Sequence, residues 1–277
     1  MAVFWYISQI KTKLLTVRDY IKQLQSYEEY GFSWEELIEN SNSPTDTLRK
    51  EIDRLAKGNE LIKLRQGFFL IVPPRYSNLG KIPLQLYVDK LFKYLGKPYY
   101  VGLFTASAIH GASHQKIQKE YIITTPPALI GINKNLIKIE FLSTKSWEEK
   151  SIRKEKSDAG FYNVSSPALT ALDMLNYHQK LGGINRILAN LEELAEEITV
   201  EDLDKLLSWY PNVSAIQRLG FVLDELQVEK EITDNIFKHL KERKYYSVLL
   251  ANKKGEKAGT TGNRWRVDVN IELDNDL

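Results

Sequence analysis

Leucine and isoleucine side chains recur at helical spacing between residues 44 and 57. Leu48, Ile52 and Leu55 are four and three residues apart, so they share one stripe of a helix that faces a core. At about 100° per residue, the polar side chains then lie on the opposite face; these are Asp46, Lys50, Asp53 and Lys57. The pattern predicts an amphipathic helix whose polar face points away from the core.

Start and stop signals frame this helix and the one before it. Ser33 and Glu36 have the spacing of a capping box, which predicts a short helix directly after the serine. Ser43 and Pro44 place a hydroxyl at the cap and proline at the first helical position of the second helix. Gly58 is a stop signal, so the second helix is expected to end at residue 57.

A strand, a tight turn and a second strand are predicted next. Residues 60–64 and 68–72 have strand-like sequences, and the turn over residues 65–67 contains glycine. The order of two helices and a hairpin predicts an N-terminal winged helix-turn-helix. In that arrangement the second helix enters the DNA major groove, about 12 Å wide, with its first residues near base edges.

The predicted helix and hairpin supply candidate DNA contacts of two kinds. Side chains near the start of the second helix are candidates for base edges: Thr45, Thr47, Arg49 and Lys50. Side chains further along the helix and on the hairpin are placed for phosphates or the minor groove: Arg54, Lys63, Arg65 and Gln66. Two alternatives stay open, namely a winged helix used only for protein contacts and a capped helix pair in an ordinary core with solvated basic residues.

A stretch of turn-forming residues, 76–83, divides the chain into two predicted domains, 1–78 and 79–277. The second is predicted to be a larger mixed domain of helices and short strands, so the fold class is α+β. Its predicted helices cover residues 83–95, 99–109, 167–180 and 184–198, then one from 200, 213–227 and 233–243, the later ones forming a bundle. Its predicted strands cover residues 120–125, 136–142, 161–164, 245–250 and 265–271, and residues 143–158 are expected to be loop or edge.

Charge is informative locally rather than globally. The 277-residue chain has a formal net charge of only +2. Residues 45–75 contain seven basic and four acidic side chains, and residues 234–266 contain nine and three. The second segment predicts a basic C-terminal hairpin that contacts nucleic acid or a partner, the alternative being a solvated hairpin tip. Its candidate contacts are Lys253, Lys254, Lys257, Arg264 and Arg266.

Composition excludes several classes of function. The chain has no cysteine, which excludes disulfides and thiol catalysis and fits a reducing compartment. The apolar start, residues 3–10, is much shorter than the roughly 20 residues that a membrane-spanning helix needs. We therefore expect a cytoplasmic protein without a membrane segment. Residues 1–13 are interpreted either as a strand or as an arm that binds a partner.

No set of residues predicts an enzyme. His110 and His114 have the spacing of two zinc ligands on a helix, but Gly111 lies between them and no third ligand is evident. The glycine-containing segment 255–262 lacks the order of a phosphate-binding loop. Acidic residues near a strand, Glu140, Glu148 and Glu149, lack a partner aspartate upstream and do not make a nuclease site. We expect no catalytic residues, no metal and no cofactor, and a structural helix-end role for the histidines.

Four phrases occur in order along the chain: residues 68–76 (FFLIVPPRY), 97–115 (KPYYVGLFTASAIHGASHQ), 166–173 (SPALTALD) followed by Gly182 and Gly183, and 264–270 (RWRVDVN). Together these phrases resemble the AbiEi family of abortive-infection antitoxins. Residues 1–13 do not match the family, and the loop after Leu250 is unusually rich in lysine.

This resemblance implies a type IV toxin–antitoxin system of bacteria that acts in phage defence. It implies that the N-terminal domain binds inverted repeats in the protein's own promoter, and that the C-terminal domain assists repression. It also implies that the C-terminal domain counteracts a nucleotidyltransferase-like toxin without a stable complex. The alternatives are a stand-alone regulator whose larger domain senses a ligand or partner, a nucleic-acid enzyme, and a protein that blocks the toxin by direct binding.

Overall fold

The computed structural model describes residues 16–113, 118–252 and 255–274. Contacts between Cα atoms divide the chain into two compact units. The first contains the described residues up to Lys97, together with residues 132–138 and 156–162. The second contains residues 98–131, 139–155 and those from Asn163 onward. The first unit thus continues past the domain boundary predicted at residue 78.

The described helices and strands alternate along the chain in an α+β order. The helices are α1 Val17–Ser26, α2 Trp34–Glu39, α3 Thr45–Lys57, α4 Pro74–Ser77, α5 Val88–Leu95, α6 Leu103–Ile109, α7 Pro167–Asn176, α8 His178–Leu181, α9 Asn185–Glu197, α10 Val200–Leu207, α11 Val213–Glu225 and α12 Lys230–Lys241. The strands are β1 Gly31–Ser33, β2 Leu61–Arg65, β3 Phe68–Ile71, β4 Tyr99–Val101, β5 Glu120–Thr124, β6 Ile132–Lys134, β7 Ile137–Ser143, β8 Ile152–Ser157, β9 Gly160–Ser165, β10 Val248–Leu249 and β11 Val267–Asp268. Short 3-10 turns lie at Leu84–Leu86 and Glu149–Ser151.

The capping box predicted for α2 is confirmed. The Glu36 amide donates to the Ser33 hydroxyl at 3.0 Å, and the Ser33 amide donates to the Glu36 carboxylate at 2.7 Å. The start predicted for α3 is wrong by one residue, because Pro44 rather than Ser43 occupies the cap position and no side chain caps the helix. The carbonyl of Pro44 instead accepts the amides of Thr47 and Leu48.

The predicted apolar stripe of α3 is confirmed as part of the core of the first unit. Leu48, Ile52 and Leu55 are all buried. They pack in one cluster with Phe32, which is fully buried and stacks on Phe69 with 5.4 Å between ring centroids. The stripe therefore fixes which face of α3 points outward.

The predicted hairpin is confirmed: β2 and β3 pair within a three-stranded antiparallel sheet of order β1-β3-β2, in which β3 is the central strand. The chain reverses between β2 and β3 at Gln66 and Gly67, where the glycine has a φ of +72°. The helix predicted over residues 83–95 is interrupted at Tyr87, and only its second part is α-helical. That part, α5, lies against β1, which keeps it within the first unit.

The second unit contains a mixed sheet. Strands β7, β5, β4, β9 and β8 are neighbours in that order. β4 is antiparallel to β5 and parallel to β9, and β5 is parallel to β7. The helix predicted over residues 99–109 is wrong in its first part, because Tyr99–Val101 pairs as a strand and the helix begins at Leu103. The segment expected to be loop or edge contains β8, the last strand in this order.

The helical bundle surrounds α7, whose residues are nearly all buried. Helix α7 packs against α6, α9, α10 and α11. The predicted C-terminal hairpin is wrong, since β10 and β11 are only two residues long and run parallel. A hairpin turn joins antiparallel strands. Parallel strands instead need a longer connection that brings the chain back to the end where the first strand began. Within the described ranges, no helix has the length and apolar character needed to cross a membrane.

Candidate nucleic-acid interface

The outer face of α3 carries the side chains predicted to read DNA. Thr45, Thr47, Arg49, Lys50 and Arg54 are all exposed. They point outward because Leu48, Ile52 and Leu55, on the opposite face of the helix, are buried in the core.

Three of these side chains make no hydrogen bond or ion pair among the described residues. The hydroxyls of Thr45 and Thr47 and the ammonium of Lys50 are available at the N-terminal half of α3. Hydroxyls and amines in that position are the groups that contact base edges in the major groove. The first half of α3 thus presents hydrogen-bond donors on short threonine side chains and on a long lysine side chain.

The arginines of α3 make only exposed local contacts. Arg49 lies 3.6 Å from the carboxylate of Asp46, and its guanidinium is 5.9 Å from the centre of the Trp34 ring. Arg54 lies 3.7 Å from the carboxylate of Glu51. Ion pairs of this exposed kind are weak, so they hold the arginines loosely and do not prevent them from binding a phosphate.

A groove of about 790 Å³ runs between α3 and the turn of the β2–β3 hairpin. Its lining residues are Trp34, Glu35, Arg49, Ile52, Asp53, Lys63, Arg65, Gln66, Gly67, Phe69, Tyr94 and Lys134. The predicted contacts Lys63 and Gln66 are exposed at its edge, and Arg65 is half-buried. The structure therefore brings these three and Arg49 around one concave surface.

Two polar contacts fix the walls of this groove. The ammonium of Lys63 is paired with the carboxylate of Asp53, and this hydrogen bond lowers the pKa of the aspartate. The hydroxyl of Tyr94 donates to the carbonyl of Gln66 at 3.0 Å, and the Trp34 amide donates to the carbonyl of Gly67 at 2.8 Å. The turn of the hairpin is thus held from α5 on one side and from α2 on the other.

Tyr94 and Lys134 are among the groove residues that were not predicted from the sequence. Both lie beyond the predicted N-terminal domain, and neither stands in a pattern that indicates DNA contact. A pattern of local spacing detects residues on one helix or hairpin, whereas these two reach the groove from segments distant in sequence. Their positions follow only from the folded chain.

The five residues predicted as accessory contacts have different surroundings. Lys253 and Lys254 lie outside the described residues. Lys257 is exposed. Arg264 forms two hydrogen bonds with Asp224, at 2.8 and 2.9 Å, and lies over the ring of Trp265. Because these contacts are internal, they give Arg264 a structural role.

Arg266 lies beside a concave surface of about 600 Å³ in the second unit, which Tyr245 and Tyr246 also line. Its guanidinium is 4.5 Å from the centre of the Tyr245 ring and donates to the Tyr245 carbonyl at 3.0 Å. Its backbone has a φ of +53°. Arg266 is exposed, so of the predicted arginines in this segment it is the one that faces solvent.

Three residues of the second unit form a buried polar cluster. The hydroxyls of Tyr100 and Tyr210 donate to the two carboxylate oxygens of Asp173, at 2.7 and 2.8 Å. Burial raises the pKa of Asp173 to about 6, although the two hydrogen bonds oppose this shift. The cluster joins β4 and the segment that follows α10 to α7, the central helix of the bundle.

Of the two histidines with the spacing of zinc ligands, His110 and His114, the structure describes only His110. The Nε2 atom of His110 lies 2.7 Å from the carbonyl of Ser165, and burial lowers the pKa of this histidine. His110 occupies the C-terminal cap of α6, in agreement with the predicted helix-end role. His114 lies outside the described residues. Across the described ranges, no three histidine, aspartate or glutamate side chains are grouped as metal ligands.

Comparisons with solved structures show a likeness of fold. The structure is similar to the crystal structure of the RV2827C protein from Mycobacterium tuberculosis, with a TM-score of 0.63, 13% sequence identity and 92% of each chain covered. It also matches an antigenic nucleotidyltransferase-like protein from Paracoccidioides brasiliensis, with 10% identity over 54% of this chain and 88% of that one. The TM-score of that second match is 0.31, which is too low to support an argument.

A sequence comparison with curated proteins finds no match. Residues 100–225 match the family model described as the AbiEi antitoxin C-terminal domain. The matched segment contains all three residues of the buried cluster, Tyr100, Asp173 and Tyr210, and most of the helical bundle. Residues 100–225 are thus identified as an AbiEi antitoxin C-terminal domain.

Proposed function

We propose that this antitoxin also represses its own operon by binding inverted repeats in the promoter. In the proposal, α2, α3 and the β2–β3 hairpin act as a winged helix-turn-helix, and α3 enters the major groove. The residues from 100 onward counteract a nucleotidyltransferase-like toxin of a type IV system, without a stable complex between the two proteins. The proposal assigns no chemical step to the chain.

The main observation in support of this proposal is the exposed polar face of α3. Its 13 residues extend over about 20 Å at 1.5 Å per residue, which is enough to follow the major groove across several base pairs. Among the described residues, the face presents Thr45, Thr47 and Lys50 without internal partners, while the apolar stripe anchors the helix from behind. These donors are therefore available to a ligand that meets the outer face of the helix.

The hairpin beside α3 supports the same orientation on DNA. Lys63 and Gln66 are exposed at the groove edge, where a winged helix places its phosphate and minor-groove contacts. Because the groove also holds acidic side chains, the net positive charge is modest. We therefore expect affinity to depend on the base contacts of α3 as well as on phosphate attraction.

The antitoxin role is assigned to the other part of the chain. The match to the antitoxin domain begins at residue 100, beyond α3 and the hairpin. Substitutions on the outer face of α3 leave the cores of both units intact, because these side chains are exposed. Repression and protection from toxin are therefore expected to separate in such variants.

The experiment compares Arg49→Ala and Lys50→Ala with wild type in cells that carry a promoter reporter and, separately, the toxin. Loss of a base contact is expected to weaken operator binding by about 5- to 150-fold, which relieves repression. Protection from the toxin is expected to stay at the wild-type level. Lys22→Ala is the matched control, since Lys22 is an exposed lysine on α1, a different helix.

Three outcomes contradict the proposal. The first is full repression by both α3 variants. The second is loss of protection in both, which would remove the division of labour between the two parts of the chain. The third is equal loss of repression in Lys22→Ala, which would show that bulk charge rather than the face of α3 determines binding.

A further inference from the structure

A lysine from the middle of the chain lies at the groove beside α3. Lys134 is the last residue of β6, and it lines the same concave surface as Arg49 and Lys63. Strand β6 lies against β2, the first strand of the hairpin. We propose that Lys134 contacts the DNA backbone and so completes the interface; this inference rests on the proposed function.

The charges around the groove favour an anionic occupant. Without Lys134, the lining has three basic side chains, Arg49, Lys63 and Arg65, and two acidic ones, Glu35 and Asp53. Lys134 raises the net charge of the lining from +1 to +2. Lys134 repels the other basic side chains of the groove, and a bound anion offsets this repulsion. A DNA phosphate is such an anion.

Lys134 has no counter-ion of its own. It is exposed, and within the described ranges its ammonium makes no ion pair and no hydrogen bond. Lys63, in contrast, is paired with Asp53 across the groove. Lys134 is therefore the lysine of the groove that reaches a phosphate without first breaking an internal ion pair.

The turn between β6 and β7 holds the backbone of Lys134 in place. Ile132 and Ile137, on either side of the turn, are both buried. Asn135 turns the chain with a φ of +52°, a conformation that asparagine tolerates better than most residues. Two buried anchors around a tight turn fix the backbone of Lys134, so its side chain alone has to be ordered when a phosphate binds.

The test measures the affinity of the full-length chain for a promoter duplex and a scrambled duplex of equal length between 50 and 300 mM KCl. Fluorescence anisotropy reports binding. Lys134→Ala is expected to weaken binding to both duplexes by the same factor and to reduce the slope of log Kd against log salt by about 1. Lys134→Arg, which keeps the charge, is expected to retain the slope.

Lys138→Ala is the matched control. Lys138 is exposed on the neighbouring strand β7 and is not one of the groove-lining residues, so its removal is expected to leave the slope unchanged. An unchanged slope in Lys134→Ala overturns the inference while the proposed function stands. An equal loss in Lys138→Ala also overturns it, because the effect would then come from diffuse charge. If wild type binds neither duplex, both the inference and the proposed function fail.

Discussion

Replacement of Asp173 by asparagine tests the buried polar cluster of the antitoxin domain. Asparagine has nearly the same shape as aspartate, and its side-chain oxygen accepts a hydrogen bond from one of the two tyrosines. The substitution removes the ionisable group without opening a cavity. It therefore measures how much an ionised carboxylate among the buried side chains of α7 lowers the free energy of unfolding.

The magnitude follows from the pKa of Asp173 in the two states. Burial raises this pKa to about 6 in the folded chain, whereas an aspartate in an unfolded chain has a pKa of about 3.9. Each unit of difference corresponds to roughly 1.4 kcal/mol, so the full effect is on the order of 3 kcal/mol. Because the folded pKa is the higher one, folding favours the protonated acid. The stabilising contribution is fully present below about pH 4 and is lost as pH rises through about 6.

The assay is urea unfolding of wild type and Asp173→Asn at a series of pH values from 4 to 8. Fluorescence of the five tryptophans reports unfolding, and one of them, Trp147, lies beside the cluster, with its ring 5.1 Å from the ring of Tyr100. The free energy of unfolding of wild type, minus that of the variant, is expected to fall by about 2 kcal/mol across this range, because the carboxyl of the unfolded chain is already about half ionised at pH 4. The difference between the two proteins cancels the titration of all other groups.

Two results would refute this reasoning. If the difference stays constant from pH 4 to 8, Asp173 titrates alike in the folded and unfolded chains, and the two hydrogen bonds fully offset the effect of burial on its pKa. If the difference rises with pH, the hydrogen bonds from Tyr100 and Tyr210 outweigh burial and hold the carboxylate ionised. Either result would remove the cluster as a pH-dependent contribution to the stability of the second unit.

Two further predictions concern packing and capping. Gly220→Ala is expected to destabilise the second unit by about 1 to 3 kcal/mol, because a Cβ on Gly220 would lie 2.1 Å from the Trp265 ring. Urea unfolding midpoints measure this loss. The control is Gly262→Ala, because a Cβ on Gly262 meets open space. Ser33→Ala removes the oxygen that accepts the Glu36 amide and is expected to cost about 0.5 to 2 kcal/mol. Thermal unfolding followed by circular dichroism measures that cost, and a midpoint equal to that of wild type would contradict it.

Local signals predicted the elements of the interface well. The capping box of Ser33 and Glu36 spans three residues, and the apolar stripe of α3 repeats within two turns, so both are determined by near neighbours in sequence. The outward direction of Arg49 and Lys50 follows from that stripe. For this reason the outward-facing polar residues of α3 and of the hairpin could be named from the sequence alone.

Contacts between distant segments were not predictable in this way. Tyr99–Val101 is as apolar as the helix that follows it, and only pairing with β5 and β9 makes it a strand. The cluster around Asp173 joins residues 73 and 37 positions away, and no periodic pattern links such positions. Lys134 reaches the groove for the same reason, through the packing of β6 against β2.

Our proposal that the outer face of α3 reads the promoter can be tested by one ratio, Kd for a scrambled duplex divided by Kd for the inverted-repeat duplex. The ratio is measured for wild type and Lys50→Ala at one salt concentration. We expect a wild-type ratio of at least about 10³, as for sequence-specific DNA-binding proteins, reduced by about 5- to 150-fold in the variant. A wild-type ratio near 1, or an unchanged ratio in Lys50→Ala and Arg49→Ala alike, would contradict it.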